Sequence, residues 1–264
     1  MRRLPLTCAG LLLAAVAPAA PVHAAATAWR YRLAKGQTLT YMVDMRATDT
    51  LREGAAPARQ KAAANSYDVH YDFGGAQPDG AVALRLRTDH LTERLTDGGK
   101  TTVKHPKTNP TYFWQEADGR QLSPDRRYTG AYSNGDLGML PDGPVAPGSA
   151  WTTTLTDQDM FSSHLICHNT MAGWMQGTST VAEIRTVCSA SGHGTVTQRG
   201  TTYRVSGTTT LTGRWAFDVK LGLFLGQTLS QQTIVTGTET DRRGARAFND
   251  RTQTSTMQQL VATR

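Results

Sequence analysis

YRVSGTTTLTGRWAFDV, residues 203–219, decides the fold. Tyr203, Val205, Thr209, Leu211, Trp215, Phe217 and Val219 share one parity, while Arg204, Ser206, Thr208, Thr210, Thr212 and Arg214 occupy the other. Successive side chains of a strand point to opposite faces, so this spacing places the large apolar groups on one side of a long strand. A helix would scatter them around its axis. Gly207 and Gly213 keep the buried parity, where a missing side chain permits bending or close approach.

The same pattern spreads outward. DVKLG at 218–222 reads as a turn, Leu223, Leu225 and Leu229 carry the return strand, DRRGAR at 241–246 turns again, and a last strand runs toward Val261. In the first half, Leu39, Tyr41, Val43 and Met45 alternate with Thr40, Asp44 and Arg46. Tyr67, Val69, Tyr71 and Phe73 alternate with Asp68, His70 and Asp72. After the turn GGAQPDG, Val82, Leu84 and Leu86 oppose Arg85 and Arg87. The parity slips at Asp89-His90 before Leu91 and Leu95 resume it, which predicts a bulge. TDGGK at 96–100 is a hairpin turn. Threonine is dense throughout, as suits strands with one wet face. Two stretches do not alternate. Residues 51–65 read as a hairpin tip. Residues 105–150, rich in Pro, Gly, Asp and Asn, read as a long connection, which in a compact chain is functional or a linker.

The expectation is a mainly β protein of long, twisted antiparallel sheets, half-barrel or sandwich-like, in two related halves. The N-terminal half is 25–104, the connection 105–150 and the C-terminal half 151–264. Three short pieces carry a resemblance: Gly36, Leu39 and Tyr41 as G-x-x-L-x-Y; Pro144, Val145, Gly148 and Trp151 as P-V-x-x-G-x-x-W; and Phe217, Asp218 and Gly222 as F-D-x-x-x-G. On these the chain resembles a group of exported bacterial β-rich proteins of unknown function. The resemblance implies the long antiparallel architecture, with a half-barrel lipoprotein-carrier fold as its analogue, and carries no catalytic residues.

The first 24 residues fit a secretory signal peptide. Arg2 and Arg3 precede the apolar run Leu11–Val16, and Val22-His23-Ala24 forms a cleavage signal before Ala25. Cys8 precedes the apolar run, whereas a lipidated cysteine would follow it. The expected mature chain is periplasmic or secreted and has no transmembrane span. Losing two arginines takes the formal charge from +7 to +5. The basic residues are scattered and not interleaved with aromatics, which argues against nucleic acid as a partner. Cys167 and Cys188 remain. In an oxidising compartment they are expected to pair, closing a loop of about 20 residues worth about 3 kcal/mol.

Residues 159–175, DMFSSHLICHNTMAGWM, read as the one helix. At about 100° per residue Met160, His164, Cys167, His168, Met171, Trp174 and Met175 fall on one arc. This predicts a short helix near 158–175, capped by Asp157 or Asp159, ended by Gly177, and tied to the sheet by the disulfide. One reading makes the stripe a packing face, with Met filling gaps. A second makes His164, His168, Met160, Met171 and Met175 a copper site, since thioether and imidazole together suit Cu(I). A third lets the helix line an apolar mouth, with Trp174 touching a ligand.

Signatures of catalysis are missing. There is no G-x-S-x-G elbow, and His164-Leu-Ile-Cys-His168 lacks the glutamate of a zincin. A hydrolase site would have to sit in 105–150, where Asp118, Asp125 and Asp136 are loop carboxylates. Tyr112-Phe113-Trp114 remains the candidate ligand contact. Neighbours on a strand face opposite ways, so one aromatic could point away from the core, toward a sugar or a lipid; the competing and preferred reading is a loop folded over the sheet that buries all three. The preferred reading is an exported, non-enzymatic β-scaffold binding an apolar or envelope-derived ligand, or a partner protein, on a concave sheet face. A periplasmic copper binder and a hydrolase are the alternatives.

Overall fold

The computed structural model describes residues 28–122, 138–156, 164–198, 201–241 and 244–264. All regular elements among them are strands: β1 (Thr38–Glu53), β2 (Arg59–Ala76), β3 (Val82–Asp97), β4 (Lys100–Lys104), β5 (Thr111–Gln115), β6 (Gln121–Leu122), β7 (Ala150–Thr156), β8 (His164–Trp174), β9 (Val181–Gln198), β10 (Thr201–Asp218), β11 (Leu223–Asp241) and β12 (Gly244–Thr263). They form one antiparallel sheet in the order β6-β5-β3-β2-β1-β12-β11-β10-β9-β8-β7, with β4 also on β3. Each half is a meander, and the first and last long strands, β1 and β12, zip the halves together in the middle. Among the described residues the sheet does not close, and β6 and β7 are its ends.

Turn and bulge chemistry follow the local sequence. Asp97 pairs with Lys100 across Gly98 and Gly99, whose φ values of 57° and 82° are those of a two-residue hairpin turn. The parity slip in β3 is a bulge: the pairing jumps from Asp68–Asp89 to Ser66–Thr92, and His90 takes a φ of 57°. At 218–222 the Asp218 carboxylate accepts the amides of Lys220 and Leu221, and Gly222 turns left-handed at φ 68°. Gly213 is a close-approach site, because a Cβ there would run into the Leu229 side chain. Strand pairing also reaches into the two stretches that do not alternate. β1 and β2 extend over most of 51–65, and 105–150 contributes β5 and β6.

The sheet curls around an extended N-terminal strap. Tyr31 donates its amide to Ala117 beyond β5, and Arg32 donates to Gly222 at the β10–β11 turn, so the strap touches distant parts of the sheet at once. The Tyr31 hydroxyl donates to Gly138 O and the Trp151 indole donates to Met139 O, which brings the chain before β7 onto the same end. Trp29 stacks on Phe217 at 6.0 Å and Tyr31 meets Phe217 edge-on at 5.2 Å. Tyr41, Tyr71, Trp215 and Phe224 complete an aromatic core at this closed end. Away from it, the sheet continues as a long arm whose inner face is held by Leu165, Cys167, Cys188, Leu211 and Leu229, then by threonine and glycine.

The short helix near 158–175 is not present: residues 164–174 are strand β8, and 157–163, including Met160, lie outside the described residues. Leu165, Cys167, Asn169 and Met171 are buried, alternating with exposed Ile166, His168 and Thr170, a period of two. Two features decide for strand. β7 and β9 flank the segment and satisfy its backbone on both sides. Its buried polar side chain Asn169 donates to Thr153 and accepts from Thr186, whose hydroxyl in turn receives the Trp215 indole. The disulfide therefore does not tether a helix. Cys167 and Cys188 are directly opposite on β8 and β9 and are bonded.

Candidate ligand-binding cleft

β5 settles where the aromatic triplet points. Phe113 lies opposite Leu84 on the inner side and packs against the core. Tyr112 and Trp114 take the outer side, opposite Arg85 and Ala83. Asp72 lies opposite Arg85 on β2, and a Cβ on Gly74 would come within 2.9 Å of the Ala83 Cβ. Register thus builds two rows across three strands: Asp72, Arg85 and Tyr112, then Gly74, Ala83 and Trp114. Gly74 and Ala83, the small residues of the second row, form the floor of a cleft of about 440 Å³ lined by these six residues and by Phe73, Leu84 and Phe113. Tyr112 is 56% exposed beside it.

A polar network adjoins the cleft. Arg87 donates Nε and Nη2 to the two oxygens of Asp72 at 2.7 and 3.2 Å, and Thr38 donates to Asp72 at 3.0 Å. The Arg87 guanidinium is the main cause that holds the Asp72 carboxyl below the usual carboxylate range, against the opposing effect of burial. His70 bonds Thr40 through Nδ1 at 2.9 Å and meets Asp89 through Nε2 at 3.1 Å. Hydroxyl, imidazole and carboxylate in line suggest a nucleophilic relay. Here, however, β1 is paired on both sides, by β2 and β12, so its amides serve the ladders and not a developing oxyanion. The arrangement orders the sheet surface next to the cleft.

The remaining predicted residues are dispersed. Trp174, at the end of β8, is 40% exposed, lies 6.3 Å from Trp29 at the rim of the core, and does not line the cleft. Met171 is fully buried, whereas His168 points outward beside Thr152. Met175 lies past the strand and is exposed. His164 opens β8, and four residues of strand separate its backbone from that of His168 by about 13 Å. In a helix the two would be one turn apart; in a strand they are not adjacent. Among the described residues no group of three or more His, Cys, Asp or Glu side chains could hold a metal ion.

No family model and no curated protein matches this chain. Among solved structures, lipovitellin, from a study of lipid–protein interactions, is similar at 10% identity and a TM-score of 0.48, over 88% of this chain. The chain spans 26% of that structure's length. A mutant porin of Rh. blastica is similar at 6% identity and a TM-score of 0.23, over 82% of this chain and 99% of the porin. Both likenesses are remote. No helix among the described residues is long and apolar enough to cross a membrane.

Sequence reasoning missed Gly74, Ala83, Asp72 and Arg85 as cleft residues. Their only local signal was the strand alternation, which puts them on the outer face; the pairing of β2, β3 and β5 makes them neighbours. It also missed a carboxyl pair on the inner face of the arm. Asp49 lies opposite Thr252 and Asp250 opposite Leu51, on adjoining strands. Thr252 donates to Asp49 at 3.3 Å, while one Asp250 oxygen is buried without a hydrogen-bond partner. Burial, then the neighbouring Asp49, pushes the Asp250 carboxyl up to about 7. A proton on Asp250 turns the pair of acceptors into a donor and an acceptor, which removes both the repulsion and the missing partner.

Proposed function

We propose that this chain is an exported, non-enzymatic β-scaffold that binds an envelope-derived ligand with an apolar face in the cleft of β2, β3 and β5. The observation that carries this reading is Tyr112 and Trp114 standing on the outer side of β5, over a floor of Gly74 and Ala83. A ring left half in water on a sheet surface gains by covering it with ligand, and the small floor leaves room for that ligand. The signal-like leader and the Cys167–Cys188 bond support export to an oxidising compartment, the periplasm or beyond. The resemblance to exported β-rich proteins fits the same reading.

The test is retention. The mature chain, secreted and purified from a bacterial host, is analysed by native mass spectrometry and solvent extraction alongside the Tyr112→Ala/Trp114→Ala variant. A bound molecule in the first sample and not in the second supports the reading. A folded protein that carries nothing, or carries the same molecule in both samples, overturns it.

A further inference from the structure

We infer that the cleft takes an acidic oligosaccharide, a chain of uronic-acid sugars, and this rests on the ligand-binding reading above. Tyr112 and Trp114 are two apart on one strand, so their side chains leave the sheet about 7 Å from each other on one face. That makes an open double platform and not a tunnel. An acyl chain laid there would stay half in water and would force Arg85 and Asp72 to give up their hydration without compensation. A pyranose ring has the opposite character. Its C–H face stacks on an aromatic ring, while its hydroxyl rim faces outward to polar partners.

Charge selects among sugars. Asp72 is already engaged by Arg87 and Thr38, so its acceptor capacity is largely spent inside the sheet. Arg85 is exposed beside Tyr112, and among the described residues it acts on Asp72 only through space. The polar group that faces a ligand is therefore a guanidinium fork. Its geometry matches a carboxylate with two parallel hydrogen bonds. Two aromatic faces plus one available guanidinium over a Gly–Ala floor describe a site for a sugar that carries a carboxylate.

Titration calorimetry on the full mature chain tests this, with trigalacturonate as the acidic probe, maltotriose as its neutral counterpart and oleate as the lipid probe. Trigalacturonate is expected to bind at least tenfold more tightly than maltotriose. Arg85→Gln should remove that preference by lowering trigalacturonate affinity to no more than that of maltotriose; Tyr112→Ala should weaken both sugars. Tyr112 is exposed, so its loss leaves no core cavity, and a matching circular dichroism spectrum confirms the fold. Equal affinity for the two sugars, or trigalacturonate binding that survives Tyr112→Ala, overturns the inference. Oleate binding that Tyr112→Ala abolishes, with no sugar binding, also overturns it while leaving the ligand-binding reading intact. Failure of all three probes overturns the inference, and an empty protein in the retention experiment then rejects the broader reading separately.

Discussion

Replacing Asp250 by asparagine should stabilise the protein, and only above acid pH. The folded-state carboxyl titrates at about 7 because burial and Asp49 disfavour its charge, against about 3.8 unperturbed. Between those values the native chain holds a proton that the unfolded chain has released. Stability therefore falls as pH rises through that window, and the deficit is complete above pH 7. A gap of about three pH units at about 1.4 kcal/mol each would give about 4 kcal/mol at face value. The pair is partly open to water, and screening reduces this to about 1–2 kcal/mol. The asparagine keeps the shape, carries no charge and can donate to Asp49 at every pH. Urea unfolding with the disulfide intact, at pH 4.5 and pH 8, measures the difference. The variant should gain about 1–2 kcal/mol at pH 8, a Tm rise of about 4 °C for a chain of this size, and should match the native protein at pH 4.5. An equal effect at both pH values, or a loss at pH 8, would refute the carboxyl-pair reasoning.

Removing the disulfide by Cys167→Ala/Cys188→Ala should cost about 3 kcal/mol for its separation of 21 residues, read as a lower urea midpoint that reductant reproduces in the native chain. Arg87→Gln should cost about 1 kcal/mol at pH 7, because the ion pair is half-exposed. Asp72 is held low, so its contribution is present above the ordinary carboxylate range and lost below it; the two unfolding curves should converge as pH falls. Trp29→Ala should cost about 3–5 kcal/mol and open a cavity beneath Phe217 that takes up a hydrophobic dye, which the native chain excludes.

The long strands were legible because one face of each is buried over many residues. In 203–219, Val205, Leu211, Trp215 and Phe217 are all buried. The bulge at His90 was legible for the same reason, since an extra residue reverses parity. What local pattern could not show is partnership between distant strands. The pairing of β1 with β12 joins the two ends of the chain, and neither strand carries a mark of the other. β8 misled for a different reason. Over a short stretch, periods of 3.6 and 2 can both pass through the same large residues, and the buried Asn169 interrupts the apolar alternation that would have identified a strand. Its satisfaction by Thr153 and Thr186 is a cross-strand fact, invisible until the partners are placed. The cleft divides along the same line: the rings of Tyr112 and Trp114 could be picked out from sequence, while the floor beneath them exists only through register.

That division also bears on where a ligand can sit. A curled sheet invites the expectation of a hollow interior, but at the closed end Trp29 and Tyr31 fill it and pack on Phe217. Farther along the arm the inner face turns polar and small: Thr209 and Thr233 bond each other at 3.1 Å, Gly192 lies opposite Gly207, and Asp49 adjoins Asp250. An acyl chain laid there would find hydroxyls and carboxyls in place of methyl groups and would gain little of the roughly 25 cal/mol per Å² that apolar burial supplies. The closed end is filled by the scaffold's own rings, and the arm offers an acyl chain little apolar surface. The outer side of β5 combines room, aromatic faces and a cation free of a bonded carboxylate among the described residues, and those three together favour recognition on the outside of the curl.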